Sequence, residues 1–192
     1  MTESGTSLRT RLVDIGVDLV AAEGVQALTL REIARRAGVS HGAPRRYFPT
    51  HLELLSAIAR RGFADLGDRV RPTLDGTSDP RAQVRELARV YLEFALDNPG
   101  MYELMFRHDL LESGHLGLRE TSLSLFALLA DLVGQVRPET DARRTAGALW
   151  ANLHGIAQLW RWGSLQLATA ETDFKALLDT ALLAHLGPEG GR

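Results

Sequence analysis

Residues 29–40 read Thr-Leu-Arg-Glu-Ile-Ala-Arg-Arg-Ala-Gly-Val-Ser, followed by His41-Gly42-Ala43-Pro44-Arg45-Arg46-Tyr47-Phe48. Thr29 and Glu32 have the form of a capping box, in which a hydroxyl and a carboxylate satisfy opposing backbone donors at a helix start. Leu30, Ile33, Ala34 and Ala37 then make a short apolar stripe, and Gly38 can take the left-handed conformation that ends a helix. The pattern predicts a helix of about two turns. Ser40 is a good N-cap for a second one. If residues 41–48 are helical, Pro44, Tyr47 and Phe48 share the inner face while His41, Gly42, Arg45 and Arg46 share the outer. Pro44 lacks a donor and crowds the Ser40 carbonyl, so the first turn is irregular or the helix starts later. A short helix, a tight glycine turn and a short helix with an exposed basic face form a helix-turn-helix.

The flanks read the same way. Leu8, Leu12, Ile15 and Leu19 recur at helical spacing before the stop at Gly24, predicting a first helix of about four turns. Thr50 and Glu53 repeat the capping-box pattern, opening a long helix that faces Leu52, Leu55, Ala59, Phe63, Leu66 and Val70 inward and ends near Pro72. A turn-rich linker runs from Pro72 to Pro80, with Asp75-Gly76 and Asp79-Pro80 as turn and helix-start signals. Beyond it lie further amphipathic segments: Val84 to Ala95, a short helix after Asn98-Pro99, Leu123 to Val133, about Thr140 to Gly163, and Phe174 to Leu186. No segment shows sustained strand alternation. The fold class expected is all-α: a three-helix helix-turn-helix DNA-binding domain, joined by a long fourth helix to a helical ligand-binding and dimerisation bundle. The expected domains are residues 1–71, including the linking helix, and residues 72–192.

Composition narrows the function. The 192 residues are 45% hydrophobic and 24% charged, with no cysteine. A disulfide scaffold, a thiolate zinc site and a cysteine nucleophile are thereby excluded. The polar start, Met1 to Ser7, lacks the apolar core of a signal peptide, and no apolar run approaches a membrane span, so a cytoplasmic protein without membrane contact is expected. The net charge of −2 hides an asymmetry: up to Arg71 there are 11 Arg against 8 acidic residues, and beyond it 11 basic against 16 acidic. Phosphate binding needs a local positive field whatever the total. There is no Gly-rich phosphate loop, metal cluster or nucleophile with a base, so no cofactor and no metal are expected, and an enzyme in a helical bundle is the remote alternative.

The run from Thr29 to Leu55, with Ala22-Glu23-Gly24 upstream, resembles the DNA-binding domain of TetR-type transcriptional regulators. Tyr91-Leu92-Glu93-Phe94-Ala95, Asn98-Pro99, Met105-Phe106, Trp150 and His154-Gly155 resemble the C-terminal domain of the subgroup known for a Trp-His-Gly signature. An Arg fork at the front of a recognition helix can bind guanine O6 and N7, and Arg45 and Arg46 are the candidates. His41 shares their outer face, and Gly42 and Ala43 keep the helix slim for approach to the groove. The resemblance places Thr29, Arg31, Ser40, Tyr47 and His51 at positions that contact backbone phosphates. Tyr47 has two readings, phosphate contact or inner-face packing beside Phe48. Position 45 is often aromatic in the family and is Arg here; position 51 is commonly Lys and is His here. Only a protonated His adds a cation at a phosphate, which predicts operator affinity that weakens above about pH 6.5.

The helix from Thr140 to Gly163 is apolar on more than one side, with Leu149, Leu153, Ile156 and Trp160 on one and Trp150, His154 and Ala157 on another. It therefore needs cover on several sides. The resemblance implies a four-helix dimer interface drawn from about Leu149 to Leu186. The candidate ligand-binding residues are Tyr91, Met101, Tyr102, Met105, Phe126, Trp150, His154 and Arg161, a mixed aromatic and Met surface suited to a small, mainly apolar effector with a polar group. The expected function is a repressor that binds a palindromic operator as a homodimer and is released by that effector. An activator or a ligand-independent regulator on the same fold is the alternative.

Overall fold

The computed structural model describes residues 7–113 and 117–188. The polar start of the chain thus lies almost wholly outside the described residues. Among them every regular element is helical. The chain folds as two compact units whose segments interleave: Met1–Asp65 with Asn98–Ser122, and Leu66–Asp97 with Leu123–Arg192. The expectation of a single cut near Arg71 treats them as consecutive in sequence.

In the first unit, α1 (Leu8–Glu23) starts at Ser7, whose hydroxyl accepts from Thr10 N at 3.3 Å, and buries Leu12, Val13, Leu19 and Val20. α2 (Leu30–Arg36) begins at Thr29, whose hydroxyl accepts from Glu32 N at 3.1 Å. The other half of the expected capping box differs. The Glu32 carboxylate accepts from Arg35 Nε at 2.8 Å and Arg36 Nε at 2.7 Å, because charged donors out-compete a backbone N–H. These two guanidinium groups hold the Glu32 carboxyl down to about 2.

α2 closes in a Schellman arrangement: Val39 N donates to Ala34 O and Gly38 N to Arg35 O, each at 3.1 Å, with Gly38 at φ 63°. α3 (His51–Asp75) follows. It continues past Pro72, ending one turn later than expected, since a proline near a helix end forfeits one bond without breaking the turn. Ser56 on α3 is fully buried, and among the described residues its Oγ has no hydrogen-bond partner. Replacing Ser56 with Ala should raise stability by about 1 kcal/mol, seen as a higher urea midpoint at unchanged slope.

The segment 98–122 belongs with the helix-turn-helix because two glycines let it come close. α5 (Pro99–Met105) lays Gly100 against α1, where an added Cβ would stand 2.5 Å from Val20 O and 3.3 Å from Gly24 Cα. Gly62 on α3 leaves room for Met101 and Met105. The Tyr102 and Phe106 rings meet tilted, 4.9 Å apart, and Phe106 meets Phe63 edge-on at 5.7 Å. Asn98 stands at the N-cap position but makes no side-chain cap bond. α6 (His108–Ser113) follows, and α7 (Leu118–Val136) leads into the other unit.

The second unit is built on α4 (Pro80–Asp97), α8 (Ala142–Arg161) and α10 (Lys175–Leu186), with the short α9 (Ser164–Thr169), which periodicity did not reveal. α4 buries Val84, Leu87, Ala88, Tyr91, Leu92 and Ala95, as its stripe predicts. α8, capped by Asp141, buries Ala146, Leu149, Leu153, Ile156 and Ala157. Arg81 on α4 donates to the Leu186 and Gly187 carbonyls at the end of α10, where a cation is favoured. Arg85 pairs with Asp179.

Candidate nucleic-acid interface

The segment between the Schellman turn and α3 carries the candidate base contacts, and it is not an α-helix. Only Pro44–Arg46 forms a 3-10 turn, with Ala43 N bonded to Ser40 O at 2.9 Å and Tyr47 N to Pro44 O at 3.0 Å. Pro44 is the reason. It cannot donate to the Ser40 carbonyl, so the preceding residue takes that acceptor with i→i+3 geometry. One α-type bond survives, from Phe48 N to Pro44 O at 2.9 Å.

The turn is anchored from inside and open outside. Pro44 and Phe48 are buried, Phe48 to 1% exposure, whereas His41, Gly42, Arg45, Arg46 and Tyr47 are exposed and Ala43 is half-buried. Tyr47 leaves the inner face that helical spacing offered it, because a tighter turn rotates it away from Phe48; its exposure is 41%. Ser40, Thr29 and Arg31 are exposed as well.

Charge pairing separates the arginines of this unit. Arg35 and Arg36 are tied to Glu32, and Arg36 also to Glu23. Among the described residues, Arg31, Arg45 and Arg46 make no ion pair, so their guanidinium groups need no partner displaced before meeting an anion. Two further arginines, which the sequence reading did not single out, touch the reading segment. Arg11 Nη2 donates to Ala37 O at 2.7 Å, and Arg9 lies over the Phe48 ring at 5.1 Å. Their position beside Leu8 and Leu12 in the first turns of α1 is the signal that was available.

His51 Nε2 stands 2.5 Å from Leu28 O. A carbonyl only accepts, so Nε2 carries the hydrogen, and neutral His51 keeps only an acceptor at Nδ1. A phosphate contact therefore requires the doubly protonated ring. His51→Ala should weaken binding to operator and to unrelated DNA alike; unchanged binding to both would remove His51 from the interface.

Of the eight candidate ligand residues, three belong to the first unit and five to the second. Met101, Tyr102 and Met105 are core of the first unit. In the second unit, Trp150 Nε1 donates to Tyr91 OH at 3.2 Å, and that hydroxyl stands 3.0 Å from His154 Nδ1. Phe126 meets the Trp150 ring edge-on at 6.2 Å, and the Arg143 guanidinium lies over the Phe126 ring, 5.6 Å from its centroid. Burial pushes the His154 imidazole below its ordinary range, which favours the neutral ring. Arg161 sits two turns farther along α8, donating to Gln158 at 3.4 Å. A shallow cleft of about 190 Å³ lies elsewhere in this unit, lined by Arg81, Arg85, Asp179 and α10 leucines.

Residues 12–58 match the bacterial regulatory proteins of the tetR family, and residues 84–184 match the tetracyclin repressor-like C-terminal domain. The chain belongs to the TetR family. Its fold is the all-α fold of that family, with an N-terminal helix-turn-helix. Among relatives, it is 28% identical over 125 residues to the nucleoid occlusion factor SlmA of Vibrio vulnificus strain YJ016, covering 65% of this chain and 63% of that one. It is 31% identical over 101 residues to the HTH-type transcriptional activator FasR of Mycolicibacterium smegmatis, covering 53% and 46%. The chain thus spans less than two-thirds of the length of these two relatives. A solved structure of a protein with unknown function from Rhodococcus sp. RHA1 superposes with a TM-score of 0.82 at 29% identity, covering 98% of this chain and 100% of that one. No helix among the described residues is long and apolar enough to cross a membrane.

Proposed function

We propose that this TetR-family regulator is a repressor of the Trp-His-Gly subgroup that binds a palindromic operator as a homodimer and is released by a small, mainly apolar effector. The observation that carries it is the pair Arg45 and Arg46, exposed and, among the described residues, without ion pairs, on a turn held by buried Pro44 and Phe48. Arg45 and Arg46 read base edges. Thr29, Arg31, Ser40, Tyr47 and protonated His51 engage phosphates, which set register without reading sequence.

Exposed apolar side chains favour the homodimer: Leu159, Trp162, Leu167 and Leu183 on or beside α8, α9 and α10 stand 39%, 71%, 89% and 58% exposed. Two copies of a short reader related by a twofold axis cover half-sites ~34–36 Å apart, whereas one copy has little specificity. Tyr91, Trp150, His154 and Phe126 form the effector contacts, and release requires an effector with different affinity for two geometries of the dimer.

Genomic fragments captured by the protein test this directly. The captured set should share a palindromic sequence, light scattering should report a dimer at micromolar concentration, and a reporter behind the site should rise when the regulator is deleted. A reporter that falls instead would place the chain with activators such as FasR. Captured fragments with no common sequence would end the operator reading.

A further inference from the structure

The reading segment is short of internal support. Between Ala37 and Phe48 a handful of backbone bonds forms one 3-10 turn, and Pro44 is its only buried side chain before Phe48. The direction in which Arg45 and Arg46 point is therefore set by how the segment's two ends are held. Both ends are held by the first turns of α1. The Schellman bonds use the Ala34 and Arg35 carbonyls, leaving the Ala37 carbonyl to the Arg11 guanidinium at 2.7 Å. At the far end Arg9 lies over the ring of Phe48, 5.1 Å from its centroid.

We propose that Arg11, assisted by Arg9, is a positioning residue for base reading: its guanidinium fixes the turn between the two short helices and thereby the aim of Arg45 and Arg46. A charge-assisted bond to a carbonyl is among the stronger single contacts of a protein surface, and Arg's planar fork holds direction as well as distance. The competing role for an arginine at this edge is a phosphate contact. The two differ in what they do to binding. A phosphate contact contributes equally on every sequence and adds about one to the salt slope, whereas a positioning contact contributes only where bases are read. This inference rests on Arg45 and Arg46 as the base contacts.

The experiment compares Arg11→Met and Arg9→Leu with the parent protein on operator and on unrelated duplex, each across a salt series, with Arg45→Ala/Arg46→Ala in parallel. Arg11→Met is expected to weaken operator binding about tenfold, a loss on the scale of one mismatched base pair. Binding to unrelated DNA and the salt slope should stay as in the parent, and Arg9→Leu should show a smaller loss of the same kind. A uniform weakening on both duplexes with the slope reduced by about one would overturn the proposal in favour of a phosphate contact, and unchanged selectivity would overturn it outright. If Arg11→Met fails to fold, Arg11→Lys decides. It keeps the charge but loses the fork, so reduced selectivity at parental slope supports positioning and parental selectivity overturns it. Should Arg45→Ala/Arg46→Ala retain selectivity, the base-contact reading itself fails; should that pair lose it while Arg11→Met does not, only the positioning role fails.

Discussion

Arg45→Ala/Arg46→Ala is expected to lower operator affinity by at least a hundredfold while leaving the unfolding midpoint and the oligomeric state unchanged. Each bidentate contact to a base is worth about 1–3 kcal/mol of discrimination, and in a dimer every substitution counts at both half-sites. Affinity on unrelated DNA sets the floor, commonly thousands-fold weaker than specific binding, so the loss should bring the operator towards that floor. Stability should not move, because both side chains are exposed and make no ion pair among the described residues. Arg31→Ala is the contrasting variant. It should weaken operator and unrelated DNA alike and shallow the salt slope by about one per contact. If the Arg45→Ala/Arg46→Ala protein behaves like Arg31→Ala, these arginines touch only phosphates.

The second large effect is on stability and separates two glycines by surroundings alone. Gly100→Ala should cost about 3 kcal/mol, because the new Cβ would stand 2.5 Å from the Val20 carbonyl oxygen, and a helix backbone cannot swing aside as a side-chain tip can. For a chain of this length that is a fall of roughly 6–12 °C in the unfolding midpoint. Gly147→Ala should act in the opposite direction. It lies within α8 with nothing within 4 Å of the added Cβ, so the change should stabilise by roughly 0.4–1 kcal/mol through better helix propensity. Thermal scans of the two variants with the parent check both signs at once. A Gly100→Ala protein as stable as the parent would mean that α5 does not rest on α1 as described.

The sequence was most legible where one residue type decides one local event. Gly38 ends α2, Thr29 starts it, Gly24 ends α1, and helical spacing selects the buried residues of α4 and, apart from Trp150, His154 and Trp160, of α8. It was less legible where two local rules compete. At residues 41–48 the helical face and the proline pull apart, and proline prevails, turning Tyr47 outward. Glu32 satisfies the pattern of a capping box, yet its carboxylate goes to arginines, since spacing says which groups are near and not which donor is stronger. Least legible were contacts between segments distant in the chain. Nothing around Gly100 or Gly62 announces that Met101, Tyr102 and Met105 belong with the helix-turn-helix. Aromatic and Met residues look alike in any core, so residue type alone does not separate these three from Trp150 and His154. The link of Tyr91 to Trp150 and His154 spans about sixty residues and is likewise invisible to periodicity.

The interleaving of the two units bears on exchange of parts. A regulator assembled from consecutive modules could be recombined by a single crossover after its linking helix, giving one reader to a different sensor. Here the first seventy residues leave behind α5, the support against which α1 is packed through Gly100. A hybrid gene joined near Arg71 would carry Arg45 and Arg46 but not the segment against which α1 packs. A hybrid that also takes residues 98–122 is expected to regain the stability that a single join near Arg71 loses.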